Sequence, residues 1–192
     1  KLKSAILKAK EFNMPKENIE RAIKKGTGEL AGENLESVSF EGFGPGQVAI
    51  IIEGITDNKN RTIGEIKGIL GEYDGKMAGE GAVKWMFERR GIIKINSEGK
   101  SQEELELVAI DSGVDDVLFK DNILYVYTKP EDLENIKKIL EEKKLKIDDV
   151  ILSWVPKEEV TVSEKEREKN QKLFEALDEN DAVQDIYSNL KD

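Results

Sequence analysis

The sequence predicts an α+β protein, and three observations carry that prediction. Apolar spacing is helical over the first thirty residues and changes to the period of strands near residue 35. The stretch Gly91 to Trp154 reads strand, helix, strand, strand, helix, strand. Strand and helix patterns also flank that stretch on both sides, so one α+β layer is expected to be interrupted by another.

Leu2, Ala5, Ile6, Ala9 and Phe12 recur at helical spacing. A second helix starting near Pro15 places Ile19, Ala22 and Ile23 on one face before Gly26 ends it. Gly26 to Gly32 is glycine-rich and polar, which makes it the expected linker. Val38 to Phe43 and Val48 to Ile55 read as strands around the turn Gly44-Pro45-Gly46, Ile63, Ile66, Ile69 and Leu70 mark a helix, and Val83 to Glu88 reads as a further strand.

Within the inner unit the strands are Ile92 to Ile95, Val117 to Lys120, Ile123 to Thr128 and Val150 to Trp154; the helices are Ser101 to Ile110 and Glu131 to Leu140. Ser101-Gln102-Glu103-Glu104 fits a capping box, Lys120-Asp121-Asn122 a tight hairpin, and Pro130 a first helical turn. This βαββαβ order is that of the ferredoxin-like split βαβ. After Pro156 follow a short strand (Val160 to Val162), a helix opened by Ser163-x-x-Glu166 and a last strand from Val183 to Tyr187. The expected division is an N-terminal helical piece over 1–35, a discontinuous α+β domain over 36–90 and 157–192, and an inserted ferredoxin-like domain over 91–156.

Composition narrows the function. The 192 residues include no cysteine and no histidine, which excludes disulfides, thiol nucleophiles, zinc fingers and Ser-His-Asp or Cys-His relays. No apolar run reaches the length of a membrane span and no leader pattern opens the chain, so a cytoplasmic protein without membrane contact is expected. Lys1 falls inside a helical pattern, so the expectation is a piece of a longer chain.

The net charge of −10 is unevenly spread. Residues 1–30 hold eight cations against four carboxylates, a net of +4, which leaves −14 on the remaining 162. A basic end on an acidic body is expected to meet phosphate at that end.

Motif candidates are few. Glu41-Gly42-Phe43-Gly44-Pro45-Gly46 is followed by a strand rather than a helix, so it is a hairpin connection and not a dinucleotide loop. Gly99-Lys100-Ser101 lacks the earlier glycine of a phosphate loop, since Lys94 stands there. Asp178 to Asp185 lacks the glycine and terminal glutamate of a calcium loop, and Asp115-Asp116 and Asp148-Asp149 sit at element ends; no metal, cofactor, catalytic residue or small-molecule substrate is expected. Thr56-Asp57-Asn58-Lys59-Asn60-Arg61-Thr62 precedes a helix, where capping by Asp57, Asn58 or Asn60 is expected and Lys59 and Arg61 stay available for an anion. Arg89 and Arg90 close a strand as surface charge or a phosphate clamp. Tyr125 and Tyr127 share one strand face and fit either base stacking or core packing; with no matching Arg/Lys-Gly-aromatic motif on a neighbouring strand, core packing is expected.

The runs Asn13 to Gly26 (NMPKENIERAIKKG), Phe40 to Gly46 (FEGFGPG), Thr56 to Thr62 (TDNKNRT) and Trp85 to Gly91 (WMFERRG), with the close Val183 to Asn189 (VQDIYSN), resemble the YebC/PmpR family along nearly the whole chain. Gln47 departs from the family habit of a further glycine after Gly46, and Ala78, Ala82 and Lys84 depart where glycine, serine and alanine are common. The resemblance implies three domains and a cytoplasmic, non-enzymatic regulator of gene expression, either a DNA-binding transcriptional regulator or a ribosome-associated translation factor contacting ribosomal RNA. It also implies a strongly basic helical segment ahead of Lys1. The expected nucleic-acid contacts are Lys8, Lys10, Arg21, Lys24 and Lys25, with Lys59, Arg61, Arg89 and Arg90 beside them.

Overall fold

The computed structural model describes residues 35–191 together with Ile6, Ile19, Ala22, Ile23 and Gly26. Those five are all helical. The rest of the expected N-terminal helices and the linker fall outside the described residues.

Two four-stranded antiparallel sheets organise the described residues. In the first, β1 (Glu36–Gly44), β2 (Val48–Thr56), β3 (Lys76–Ala78) and β8 (Val183–Ser188) stand in the order β3-β1-β2-β8. Helices α1 (Lys59–Glu72) and α4 (Glu164–Asp178) cover one of its faces, where Ile66, Leu70, Leu173 and Leu177 meet Phe40, Ile50 and Ile52. The opposite face carries a second cluster, Ala49, Ile51, Val83 and Phe87, packed against Trp154 and Tyr187. Both faces of β2 are therefore covered. That is why Val48 to Ile52 is an unbroken apolar run rather than an alternating one. Each fully buried isoleucine there contributes about 1.5–3 kcal/mol.

The second sheet holds β4 (Phe87–Asn96), β5 (Asp116–Lys120), β6 (Ile123–Thr128) and β7 (Ile147–Pro156) in the order β5-β6-β4-β7. Helix α2 (Gln102–Ile110) links β4 to β5 with β6 lying between them, and α3 (Leu133–Glu142) links β6 to β7 with β4 between them. These are two interleaved split βαβ units, the ferredoxin-like arrangement. Ile93, Ile95, Leu124 and Val126 point to the helices and meet Leu105, Ala109, Ile136 and Leu140.

Local chemistry sets most boundaries. Asp121 and Asn122 both adopt positive φ, 52° and 62°, the pair a two-residue hairpin turn requires. Ser163 and Glu166 form a complete capping box at α4. At α2 only half of the expected box exists: Ser101 Oγ accepts the Glu104 N–H at 3.2 Å, while the Glu104 carboxylate pairs with Lys100 at 3.3 Å. Pro130 lies before α3 rather than in its first turn. Gln47 takes φ 61° in the β1–β2 connection, a left-handed conformation suited to the glycine it replaces in the family pattern.

The structure differs from the sequence expectations at several points. Val83 to Glu88 is not a strand: a 3-10 turn, Lys84–Met86, is followed by β4, which starts at Phe87 and runs through Gly91 to Asn96. Gly91 sits mid-strand, where Leu133 and Thr128 occupy the space a side chain would take. Val160 to Val162 is not a strand but a single parallel bridge, Val160 to Leu190. Strand β3 was not expected, being three residues at a sheet edge. Tyr125 and Tyr127 are not in the core: both belong to the face of β6 turned away from α2 and α3.

Candidate nucleic-acid interface

Lys8, Lys10, Arg21, Lys24 and Lys25 lie outside the described residues, so the structure places only Lys59, Arg61, Arg89 and Arg90.

Lys59 and Arg61 open α1. Asn58 is the N-cap, its Oδ1 accepting the Arg61 N–H at 3.1 Å. Thr56 Oγ1 accepts from Asn58 N–H at 3.0 Å and from the Thr62 hydroxyl at 2.8 Å, so the segment closes on itself through its own side chains. The Arg61 guanidinium is drawn to Asp57 at 2.5 Å and to Glu65 at 3.6 Å. Lys59 is exposed and borders a hollow of about 320 Å³ that also touches Lys84, Glu41 and Glu80.

Arg89 and Arg90 are neighbours on β4, and strand alternation sends them to opposite faces. Arg89 lies over the Trp154 ring at 5.2 Å, and its Nη1 donates to Glu53 at 3.2 Å. The same Glu53 carboxylate accepts the Trp154 indole N–H at 2.8 Å. This cluster joins β2 of the first sheet to β4 and β7 of the second. Arg90 turns to the open face of the second sheet, paired with Glu88 at 2.7 Å and bordering a hollow of about 440 Å³ with Tyr127 and Lys157. Lys59, Arg61, Arg89 and Arg90 are thus spread over three places rather than gathered in one patch.

Sequence reasoning passed over Glu41. It is 3% exposed and accepts backbone N–H groups from Gly81, Val83 and Lys84 at 2.6, 2.7 and 3.0 Å. Burial alone would raise its pKa, but these donors and the Lys84 charge hold it below the ordinary carboxyl value. It shapes the loop that presents Trp85, which is 67% exposed. No signal in the sequence ties Glu41 to a loop forty residues away.

Among the described residues no group of three or more acidic, histidine or cysteine side chains is placed to hold a metal ion. No helix among them is long and apolar enough to cross a membrane.

Comparison with known proteins covers both ends of the chain. Residues 35–190 match the family profile described as TACO1/YebC second and third domain, and residues 1–29 match the TACO1/YebC protein N-terminal domain. A probable transcriptional regulatory protein of Thermoanaerobacter pseudethanolicus is 44% identical over 192 residues, covering 100% of this chain and 78% of that protein. A protein of the same description from Thermotoga maritima is 42% identical, covering 100% of this chain and 76% of its own length. The crystal structure of a conserved hypothetical protein from Aquifex aeolicus superposes with a TM-score of 0.83 at 40% identity, covering 98% of this chain and 78% of that one.

Proposed function

This chain belongs to the TACO1/YebC family, and from that premise we propose that it is a non-enzymatic regulator of gene expression that binds nucleic acid, with DNA as its working target in the cytoplasm. The observation that carries the reading is the joint one of full-length relatives described as probable transcriptional regulators and a basic N-terminal end on an acidic body. In this reading residues 1–35 supply the phosphate contacts through Lys8, Lys10, Arg21, Lys24 and Lys25. The units 36–90 with 157–192, and 91–156, form the body that orients them. Cations of this kind fix position on a duplex without reading bases. The acidic body then limits wrapping and keeps contact to one end.

The test is crosslinking in cells followed by sequencing of the bound nucleic acid, alongside sedimentation of the lysate. Enrichment of a few promoter sequences, with the protein remaining at the top of the gradient, is the expected result. Co-sedimentation with ribosomes and crosslinks confined to ribosomal RNA would replace DNA by the ribosome as the target.

A further inference from the structure

The ferredoxin-like sheet has two faces, and α2 and α3 cover only one. On the other, Tyr125 and Tyr127 stand two residues apart on β6, a central strand. Leu118, 49% exposed, lies across from Tyr125 on β5, and Ile92 lies across from Tyr127 on β4. Hollows of about 440 and 360 Å³ border Tyr127, and the second also borders Tyr125 and Lys120. We propose that this face is a second nucleic-acid site, a platform on which single-stranded nucleic acid stacks two splayed bases on Tyr125 and Tyr127. It rests on the reading that the protein binds nucleic acid.

Three features favour that occupant. Side chains two residues apart on a strand are separated by about 6.7 Å along it, roughly twice the 3.4 Å per nucleotide of a stacked strand. Bases on both rings must therefore be unstacked, a state open to single strands and closed to a duplex. Each ring also has a cation at hand on the same face: Lys94 is the cross-strand partner of Tyr125, and Arg90 borders the hollow beside Tyr127. Finally, the cations Arg90, Lys94, Lys120 and Lys157 match Glu88, Asp116, Asp149 and Glu159 in number on and around this face, whereas the chain beyond residue 30 carries −14. Phosphate meets less repulsion here than over the body as a whole. The Arg90–Glu88 and Lys94–Asp149 pairs are partly exposed, at 2.7 and 3.6 Å, and such pairs give way to a phosphate at little cost.

The experiment uses the intact chain with short fluorescent oligonucleotides of mixed sequence, as single-stranded RNA, single-stranded DNA and duplex DNA, read by anisotropy. Tyr125→Ala and Tyr127→Ala are each expected to weaken single-strand binding roughly 5- to 100-fold and to leave duplex binding unchanged, while Tyr→Phe at either position retains affinity. The RNA and DNA arms identify which strand is preferred. In the unaltered protein, ultraviolet crosslinks to a single strand are expected on the peptide that contains β6, a readout that does not depend on any variant folding. Single-strand binding that persists undiminished in the double alanine variant, or crosslinks absent from β6, overturns the platform and leaves the phosphate-contacting role of the N-terminal end standing. Loss of all nucleic-acid binding by the unaltered protein overturns both.

Discussion

Glu41 and Val83, forty-two residues apart, are joined by a hydrogen bond in which the buried carboxylate accepts the backbone N–H at 2.7 Å. With Gly81 and Lys84 donating to the same side chain, one glutamate satisfies three backbone donors of a loop that has little regular structure of its own. The loop is held from β1 rather than by its own sequence.

Replacing this group tests the arrangement and its pH dependence. Glu41→Gln keeps the shape but loses the charge and one acceptor, so stability at neutral pH falls by about 1–3 kcal/mol. Because the folded-state pKa lies below the ordinary value of 4.5, the contribution of Glu41 is present above that value and is lost as pH falls through the folded one. Urea unfolding of the two proteins is therefore expected to show a gap that is full at neutral pH and narrows with acidification. A gap independent of pH would contradict the role of the charge.

The Glu53, Arg89 and Trp154 cluster holds the two sheets together. Glu53 receives both the guanidinium and the indole N–H, and the guanidinium lies over the same indole, so the three groups act as a unit. A double-mutant cycle on Glu53→Ala and Arg89→Ala is expected to give a coupling of about 0.5–3 kcal/mol. Arg89→Lys is expected to recover little of it, because the ammonium lacks the planar fork and the stacking surface. Additive effects of the two alanine changes would show that the contacts are incidental.

Glycines at two positions should respond with opposite signs. A Cβ on Gly91 would lie 2.5 Å from Thr128 Oγ1 and 2.7 Å from Leu133 Cδ1, so Gly91→Ala forces β4 and α3 apart and costs about 1–3 kcal/mol. Gly64 is exposed in the interior of α1 with nothing within 4 Å of a Cβ, so Gly64→Ala is expected to stabilise by about 1 kcal/mol. Thermal unfolding of both variants checks the pair, and a destabilised Gly64→Ala would show that this helix face contacts something.

The ferredoxin-like unit was legible from sequence because its signals are local. Ser101 caps α2, and Asp121-Asn122 makes the hairpin. What sequence reasoning missed depends on distant partners. The strand patterns Val83 to Glu88 and Ile92 to Ile95 leave Gly91 between them, and nothing nearby reveals that β4 runs through it with Leu133 in the space of its side chain. Period-two alternation showed that Tyr125 and Tyr127 share a face, but it is silent on which face the helices cover. Arg89 and Arg90 are adjacent in sequence, yet alternation along β4 divides them, and Arg89 is drawn into the contact between the sheets. Five of the nine expected contacts lie outside the described residues, and they carry the weight of the proposal.

The measurement that tests the central claim most directly is the affinity of the intact chain for nucleic acid as a function of salt concentration. If Lys8, Lys10, Arg21, Lys24 and Lys25 each neutralise a phosphate, the logarithm of the binding constant for duplex DNA falls against the logarithm of salt with a slope of about −4.5. Alanine at Lys24 and Lys25 together then reduces that slope by about 2. Binding that is absent at low salt, or a slope near zero that these substitutions leave unchanged, would contradict the claim.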